Sequence, residues 1–315
     1  QYCKKVMTFQ RGKAWTLPNI LRTGFSLYPF LIMIYFIPEM RRALAEEIES
    51  GNYDLIHAET FYVMPYLPPA NLPVVLVEQT IMSRVFEHQV KNYEHPLLRP
   101  LFMIDVIKIK YWQKYFWKKA DKLVAVSQED ADLIKTMTPG VEVHVVPNGV
   151  GEDFIAVPRR LHYNLTVFYL GHYKWMQNWE AAHILATEIF PIIKSSIPEA
   201  KLKIVGQFPT PELKSLEGKD IKVVELKVDD VEAVVKETVS SGILVAPIYG
   251  PGGTRLKILA AMASMVPVIT TPFGAEGYGA KNGESILIGN TPEDLASKAI
   301  EVLKAAHIDY VTLAN

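Results

Sequence analysis

Short apolar runs bounded by turn residues alternate with amphipathic stretches along the whole chain. In the first half, the runs at 54–58, 73–77 and 122–127 are β-branched and almost continuously apolar, and 141–146 is a further strand candidate closed by the turn Pro147, Asn148 and Gly149. Strands buried on both faces of a parallel sheet have that pattern. Residues 5–9 form a further short strand candidate. A helix is predicted over 38–50: Pro38 suits the first turn, Met40, Leu44 and Ile48 share a face, and Gly51 ends it. Ser127 ahead of Glu129 and Asp130 signals a second helix start. The second half repeats the theme with strands predicted at 166–170, 201–205, 221–224, 243–248, 267–270 and 285–288. Helices are predicted between them. One covers 178–196, with Asn178 as cap and a break at Pro191; another covers 292–304, with Thr291 as cap and Pro292 in first position. Strands separated by helices predict parallel sheets and an α/β fold.

Length adds a division to this picture. A chain of 315 residues is expected to form two domains, drawn here as 1–155 and 156–315, with the polar stretch 150–165 around Pro158, Arg159 and Arg160 as the link.

One stretch stands out chemically. The run 242–248 is followed by Gly250, Gly252 and Gly253, then by Thr254, Arg255 and Lys257 at the start of a helical pattern. Glycines free the backbone to turn tightly, and a helix N-terminus carries free N–H groups and a positive dipole end that suit a phosphate. Thr254 is the expected cap, and Leu256, Leu259, Met262 and Ala263 the expected buried stripe. A tight connection of this kind also occurs with no ligand at all. What favours a ligand is convergence: Gly171, Gly206, Gly274 and Gly277 also follow strands, at the sheet edge where open α/β sheets bind.

Composition removes several classes. A net charge of −1 offers no general argument for nucleic acid. The lone Cys3 excludes a disulfide framework and fits a reducing, cytoplasmic setting. The most apolar run, 25–37, is too short to cross a bilayer. Asp229 and Asp230 read as a helix cap pair, so no metal site is expected. The basic, aromatic helix candidate at 99–120 has two readings. One is a packed helix with a solvated lysine face; the other is a surface lying on an anionic membrane, which would make the protein membrane-associated. The 25–37 run has the same pair of readings.

Taken in order, several pieces resemble the family 4 retaining glycosyltransferases, whose GT-B architecture has two Rossmann-like domains with parallel sheets facing across a cleft. The pieces include 121–127, 145–149, 168–171 with Trp175 and Asn178, 202–206, 228–230, 245–248, 252–259, 261–263, 267–270 and 274–277. Tyr53 to His57 and 73–76 resemble its acceptor-side domain. The resemblance covers nearly the whole chain. It implies transfer of a sugar from a nucleotide-sugar donor to a carbohydrate, lipid-linked or protein acceptor, without metal or cofactor. By resemblance, Gly171 and His172 border the donor diphosphate, while Gly206 and the backbone of Lys227 and Val228 flank the base. Gly252 stands near the turn whose Gly253, Thr254 and Arg255 amides hold the sugar or diphosphate, and Glu78 and Gln79 line the acceptor side.

The departures from that pattern are specific. The two glutamates of the family signature fall on Gly252 and Ala260, and the basic pair that grips the diphosphate falls on His172 and Gln177, leaving Arg255 and Lys257 as substitutes. Gln79 stands for a cleft histidine, and Met265 for the usual glycine. The family's first strand and glycine-rich loop have no counterpart, and the chain opens at Gln1 without a methionine, so an incomplete N-terminal domain is expected. These departures keep two alternatives open: a non-catalytic binding or partner module on the same fold, and a nucleotide-sugar epimerase.

Overall fold

The computed structural model describes residues 3–156 and 164–305. It forms two compact units, Gln1–Pro147 with Pro251–Gly253, and Asn148–Gly250 with Thr254–Asn315. Pro158, Arg159 and Arg160 of the expected link lie outside the described residues.

In the first unit, β1 (Ile56–Glu59), β2 (Val74–Glu78), β3 (Lys122–Ala125) and β4 (Val143–Val145) pair side by side in that order, all parallel. The helices are α1 (Leu17–Phe25), α2 (Phe30–Tyr35), α3 (Pro38–Ser50), α4 (Met82–Lys91), α5 (Arg99–Lys119) and α6 (Gln128–Met137). Leu76, Leu123 and Ala125 of the sheet bury against Ile109 and Trp117 of α5 and Ile134 of α6. Ser127 caps α6 by accepting from the Asp130 amide, as its spacing predicts. Residues 5–9 are not a strand: they run as irregular chain with Val6 exposed, and Lys5 pairs with Glu47 of α3. A five-residue run becomes a strand only beside a neighbour that completes its ladder.

The second unit is a six-stranded parallel sheet in the order β10-β9-β8-β5-β6-β7. Its strands are β5 (Thr166–His172), β6 (Lys201–Gln207), β7 (Ile221–Glu225), β8 (Ile243–Ala246), β9 (Val268–Thr270) and β10 (Leu287–Ile288). The helices are α7 (Glu152–Ile155), α8 (Met176–Ile184), α9 (Phe190–Ser196), α10 (Pro211–Lys214), α11 (Val231–Val239), α12 (Leu256–Ala263), α13 (Pro272–Ala275) and α14 (Pro292–Ala305). All four residues of β8 are buried, as a central strand requires.

Two helical details differ from the sequence pattern. Pro191 does not break its helix, because a π-helical turn, Leu185–Ile189, joins α8 to α9 and puts Pro191 in the first turn of α9. The wider turn removes the clash and the missing donor that a proline brings to an α-helix interior. Asn178 is not a cap either: α8 begins at Met176, and Asn178 turns its side chain to β5. By contrast Asp230 caps α11 and Thr291 receives the Asp294 amide at α14, both as expected.

Gly206 pairs with Gly171 across β5 and β6, has φ +146°, and a Cβ there would lie 1.7 Å from the Gly171 carbonyl oxygen. Gly206→Ala must push the two strands apart. Urea unfolding is expected to show a loss of about 3 kcal/mol or more. Gly218→Ala, at a position with open space around it, should stay within about 0.5 kcal/mol. An unchanged midpoint for Gly206→Ala would mean that the strands tolerate the methyl group.

Candidate functional site

Of the residues expected from the sequence, Gly171, His172, Gly206, Lys227, Val228, Thr254 and Arg255 lie toward the carboxyl edge of the second unit's sheet. Gly171 and Gly206 are within β5 and β6 rather than in loops, and their missing side chains serve packing. A Cβ on Gly171 would lie 3.1 Å from Cβ of Asn178 and 3.0 Å from the Tyr173 ring. His172 ends β5; its Nδ1 is buried without a hydrogen-bond partner, and its ring stands 5.1 Å from that of Phe208. Phe208 holds φ 53°, an uncommon conformation for an aromatic residue, and Lys174 Nζ lies 3.6 Å from its ring centre. Lys227 and Val228 follow β7; the Gln207 side-chain amide donates to the Lys227 carbonyl at 3.3 Å, and the Val228 side chain is exposed.

The turn into α12 differs in detail from the sequence expectation. Thr254 is not the cap; α12 starts at Leu256 after Arg255, and the Thr254 hydroxyl is buried without a partner. The Arg255 amide, implied to face the donor, donates to the Tyr278 hydroxyl. Its guanidinium donates to the Gly250 carbonyl at 2.8 Å, which pins the turn. Lys257 is engaged too: Nζ donates to the Tyr169 hydroxyl at 2.7 Å and to Asn178 Oδ1 at 2.6 Å. Burial, and next the charge of Arg255, push the Lys257 ammonium well below its ordinary pKa. Asn178 Nδ2 donates to the His172 carbonyl at 3.1 Å, so a chain of hydrogen bonds joins the end of β5 to the first turn of α12. The buried face of α12 is Ile258, Ala260 and Ala261, and Leu256, assigned to the stripe by its spacing, is exposed. The buried face is out of phase with the expected stripe because Ile258 and Ala261 pack into the core of the second unit. Gly253 has φ +65°, as a tight turn requires; Gly252 and Gly253 group with the first unit.

In the first unit, Glu78 ends β2 and is fully buried, with its Oε1 accepting from the Trp117 indole at 2.8 Å. Burial raises its pKa to about 8, with the charges of Asp130 and Glu59 adding to the shift. Gln79, the next residue, donates to Glu59 Oε2 at 3.1 Å, and Glu59 Oε1 stands 2.9 Å from His57 Nε2. Glu78 is therefore a core residue of its unit, while Gln79, Glu59 and His57 form a polar row at the ends of β1 and β2. Among the described residues no group of three or more metal-ligating side chains comes together.

Sequence reasoning missed Tyr169, Tyr278 and Trp117. A signal for Tyr169 was present, since a tyrosine inside an otherwise aliphatic strand needs a partner for its hydroxyl. Tyr278 and Trp117 act through contacts distant in sequence, which no local pattern reports.

Residues 6–154 match the family model described as Glycosyltransferase Family 4, and residues 164–305 the one described as Glycosyl transferases group 1. An uncharacterised 44.6 kDa protein of the Klebsiella pneumoniae cps region is 24% identical over 304 residues, or 91% of this chain and 73% of that protein. Among solved structures, S. aureus TarM in a complex with UDP superposes with TM-score 0.64 at 13% identity, over 87% of this chain and 52% of TarM. This chain thus spans about half the length of TarM. Sucrose-phosphate synthase of Thermosynechococcus elongatus gives TM-score 0.60 at 18% identity, over 90% of this chain and 73% of that one. Anabaena HepE with UDP and glucose gives TM-score 0.60 at 14% identity, over 88% of this chain and 75% of that one. At these identities the structural likeness carries the fold alone.

The raised pKa of Glu78 has a consequence for stability. Between about 4.5, the ordinary value, and about 8, the folded chain holds a proton there that the unfolded chain has released. The unfolded state binds fewer protons in that window, so this contribution to stability is whole below pH 4.5 and is lost as pH rises to 8. Glu78→Gln removes the titration. The stability of wild type relative to the variant is expected to fall with a slope approaching about 1.4 kcal/mol per pH unit through that window, and to level off above it. Denaturant midpoints measured on both proteins at several pH values decide it; a flat difference would mean that Glu78 is ionised in the fold.

Proposed function

We propose that this chain, which belongs to the family 4 glycosyltransferases with the GT-B fold, moves a sugar from a nucleotide-sugar donor to a carbohydrate, lipid-linked or protein acceptor with retention of anomeric configuration. The donor site in this reading is the carboxyl edge of the second unit's sheet. The observation that supports it most is the placing of His172 Nδ1 and Thr254 Oγ1. Both are buried at this edge with no protein partner, and buried polar atoms are ordinarily satisfied, by protein, ligand or ordered water.

In this reading His172, the N-terminus of α12 and the Arg255 charge neutralise the departing diphosphate, and the reaction needs no metal or protein nucleophile. In many transfer reactions, oriented donors aimed at developing charge lower the barrier more than any other single effect. Lys257 is assigned a positioning role, because its ammonium already serves Tyr169 and Asn178. The nucleobase lies by Gly206, Lys227 and Val228. UDP bound to TarM and to HepE makes uridine nucleotides the first to try.

A second reading, a non-catalytic partner module, is favoured by one observation. Ala260 packs in the buried face of α12 beside Ile258 and Ala261, where the family signature has an acid. The epimerase alternative has no observation in its favour.

Thr254→Val separates these readings. Replacing a buried hydroxyl that lacks a partner is expected to leave stability unchanged or raised. If the hydroxyl meets the donor, affinity for UDP should fall by about 0.5–1.5 kcal/mol, two- to tenfold. Calorimetry with UDP and GDP on both proteins reads this, and NMR of a glycoside product reads its anomeric configuration. Unchanged affinity would move the donor away from Thr254, and no nucleotide binding by wild type would favour the partner module.

A further inference from the structure

The first unit carries an apolar surface that its own core leaves uncovered. Phe25, Leu27 and Leu97 are 93%, 84% and 94% exposed. On α1, Leu17, Ile20, Leu21 and Phe25 recur at helical spacing and are all exposed. On α5 the inward face is set by Val106, Ile109, Gln113, Phe116 and Trp117. The opposite face presents Leu101, Ile104, Ile107, Tyr111 and Tyr115 to solvent.

The two helices form one assembly. Lys108 Nζ donates to the carbonyls of Thr23 at 2.8 Å and Ser26 at 2.7 Å, and the Trp112 indole to that of Leu27 at 3.0 Å. The Phe30 amide donates to Asp105 Oδ1 at 2.8 Å. Phe25 and Leu27 are therefore held outward by anchored backbone. Apolar side chains exposed in this number on two joined helices mark a binding site.

Charge identifies the occupant. Residues 1–38 contain Lys4, Lys5, Arg11, Lys13 and Arg22 and no acid at all, in a chain whose net charge is −1. On α5, Lys110, Lys114, Lys118 and Lys119 accompany the exposed apolar face, and the helix's single acid, Asp105, is bound to the Phe30 amide. A second copy of this chain would bring the same positive charge. A nucleic acid would match the lysines and leave Phe25, Leu27 and Leu97 in water. We infer that the outward face of α1 and α5 lies on an anionic lipid bilayer, its aliphatic side chains in the interface and its lysines at the headgroups. Tyrosine and tryptophan favour that boundary, and Tyr111, Tyr115 and Trp15 are exposed here. Among the described residues no helix is long and apolar enough to cross a membrane, so the contact is one of lying on the surface.

The inference does not rest on sugar transfer, and its test reads membrane binding directly. The full chain is sedimented with phosphatidylglycerol-containing vesicles and with neutral phosphatidylcholine vesicles. It is expected to pellet with the former, and added salt should release it. Each lysine near an anionic surface is worth about fivefold in partitioning. Lys110→Glu with Lys114→Glu should therefore lower binding at least tenfold. Phe25→Ser with Leu27→Ser should lower it as well, with unfolding midpoints and UDP affinity unchanged, since both side chains are exposed. Failure of wild type to pellet with anionic vesicles, equal binding to neutral ones, or wild-type binding by the Phe25→Ser, Leu27→Ser variant would each overturn the proposal. Self-association of the wild type that these serines abolish would also overturn it, and would assign the face to a protein partner.

Discussion

The second unit depends on where the Lys257 side-chain amine is put. An amine taken out of water must find hydrogen-bond partners. This one finds two neutral oxygens, of Tyr169 and Asn178, one on the central strand β5 and one on α8. The bonds draw three elements together: α12 cannot move along the sheet without leaving the amine unpaired, and α8 cannot move without releasing both the amine and the His172 carbonyl. Gly171 belongs to the same constraint, since Asn178 approaches to a distance at which a side chain on residue 171 would be tight. Thr254 and Arg255, just before α12, inherit their position from Lys257. Arg255 then fixes the turn through Tyr278 and Gly250.

The fold was legible in the sequence where burial acts on a whole segment. β8 is apolar throughout and β2 nearly so, because both faces of a parallel sheet are covered. The starts of α6, α11 and α14 were legible because Ser127, Asp230 and Thr291 each satisfy an amide a few residues away. Asn178 and Thr254 have the right residue type for the same task, but they are used or left bare by partners far away in sequence. The phase of α12 shows the same limit. The alternatives, Leu256–Leu259–Met262–Ala263 and Ile258–Ala260–Ala261, are both apolar, and only packing against the sheet selects the second. Pro191 points to a break that does not occur, because a π-turn is a remedy that local propensity does not forecast.

The candidate site was legible as a sheet edge and much less so as a set of side chains. Glu78 and His172 hold equivalent places at the ends of parallel strands, yet their surroundings oppose each other. The Glu78 carboxyl is sealed in the core against Trp117 and keeps a proton. His172 is the more open of the two, although its Nδ1 lacks a partner. A carboxyl group that holds its proton can stay within the core without the hydration that an ionised one requires. A strand-end acid is therefore a weak sign of catalysis until its burial is known.

The glycines bear most directly on function. Gly171 and Gly206 are explained by strand and helix packing alone, so their presence near the proposed donor edge is no longer independent support for a ligand. What remains as support is chemical: a partnerless imidazole nitrogen, a partnerless hydroxyl, and an arginine held by its neighbours at the start of a helix. The absence of an acid at Ala260 bears on ribose recognition more than on phosphate recognition, because the helix N-terminus and Arg255 act on charge whether or not a sugar hydroxyl is held. A donor site built in this way would grip the diphosphate more firmly than the nucleoside. Selection among bases would then fall to the edge of β6 and β7, where Gln207 reaches the Lys227 carbonyl.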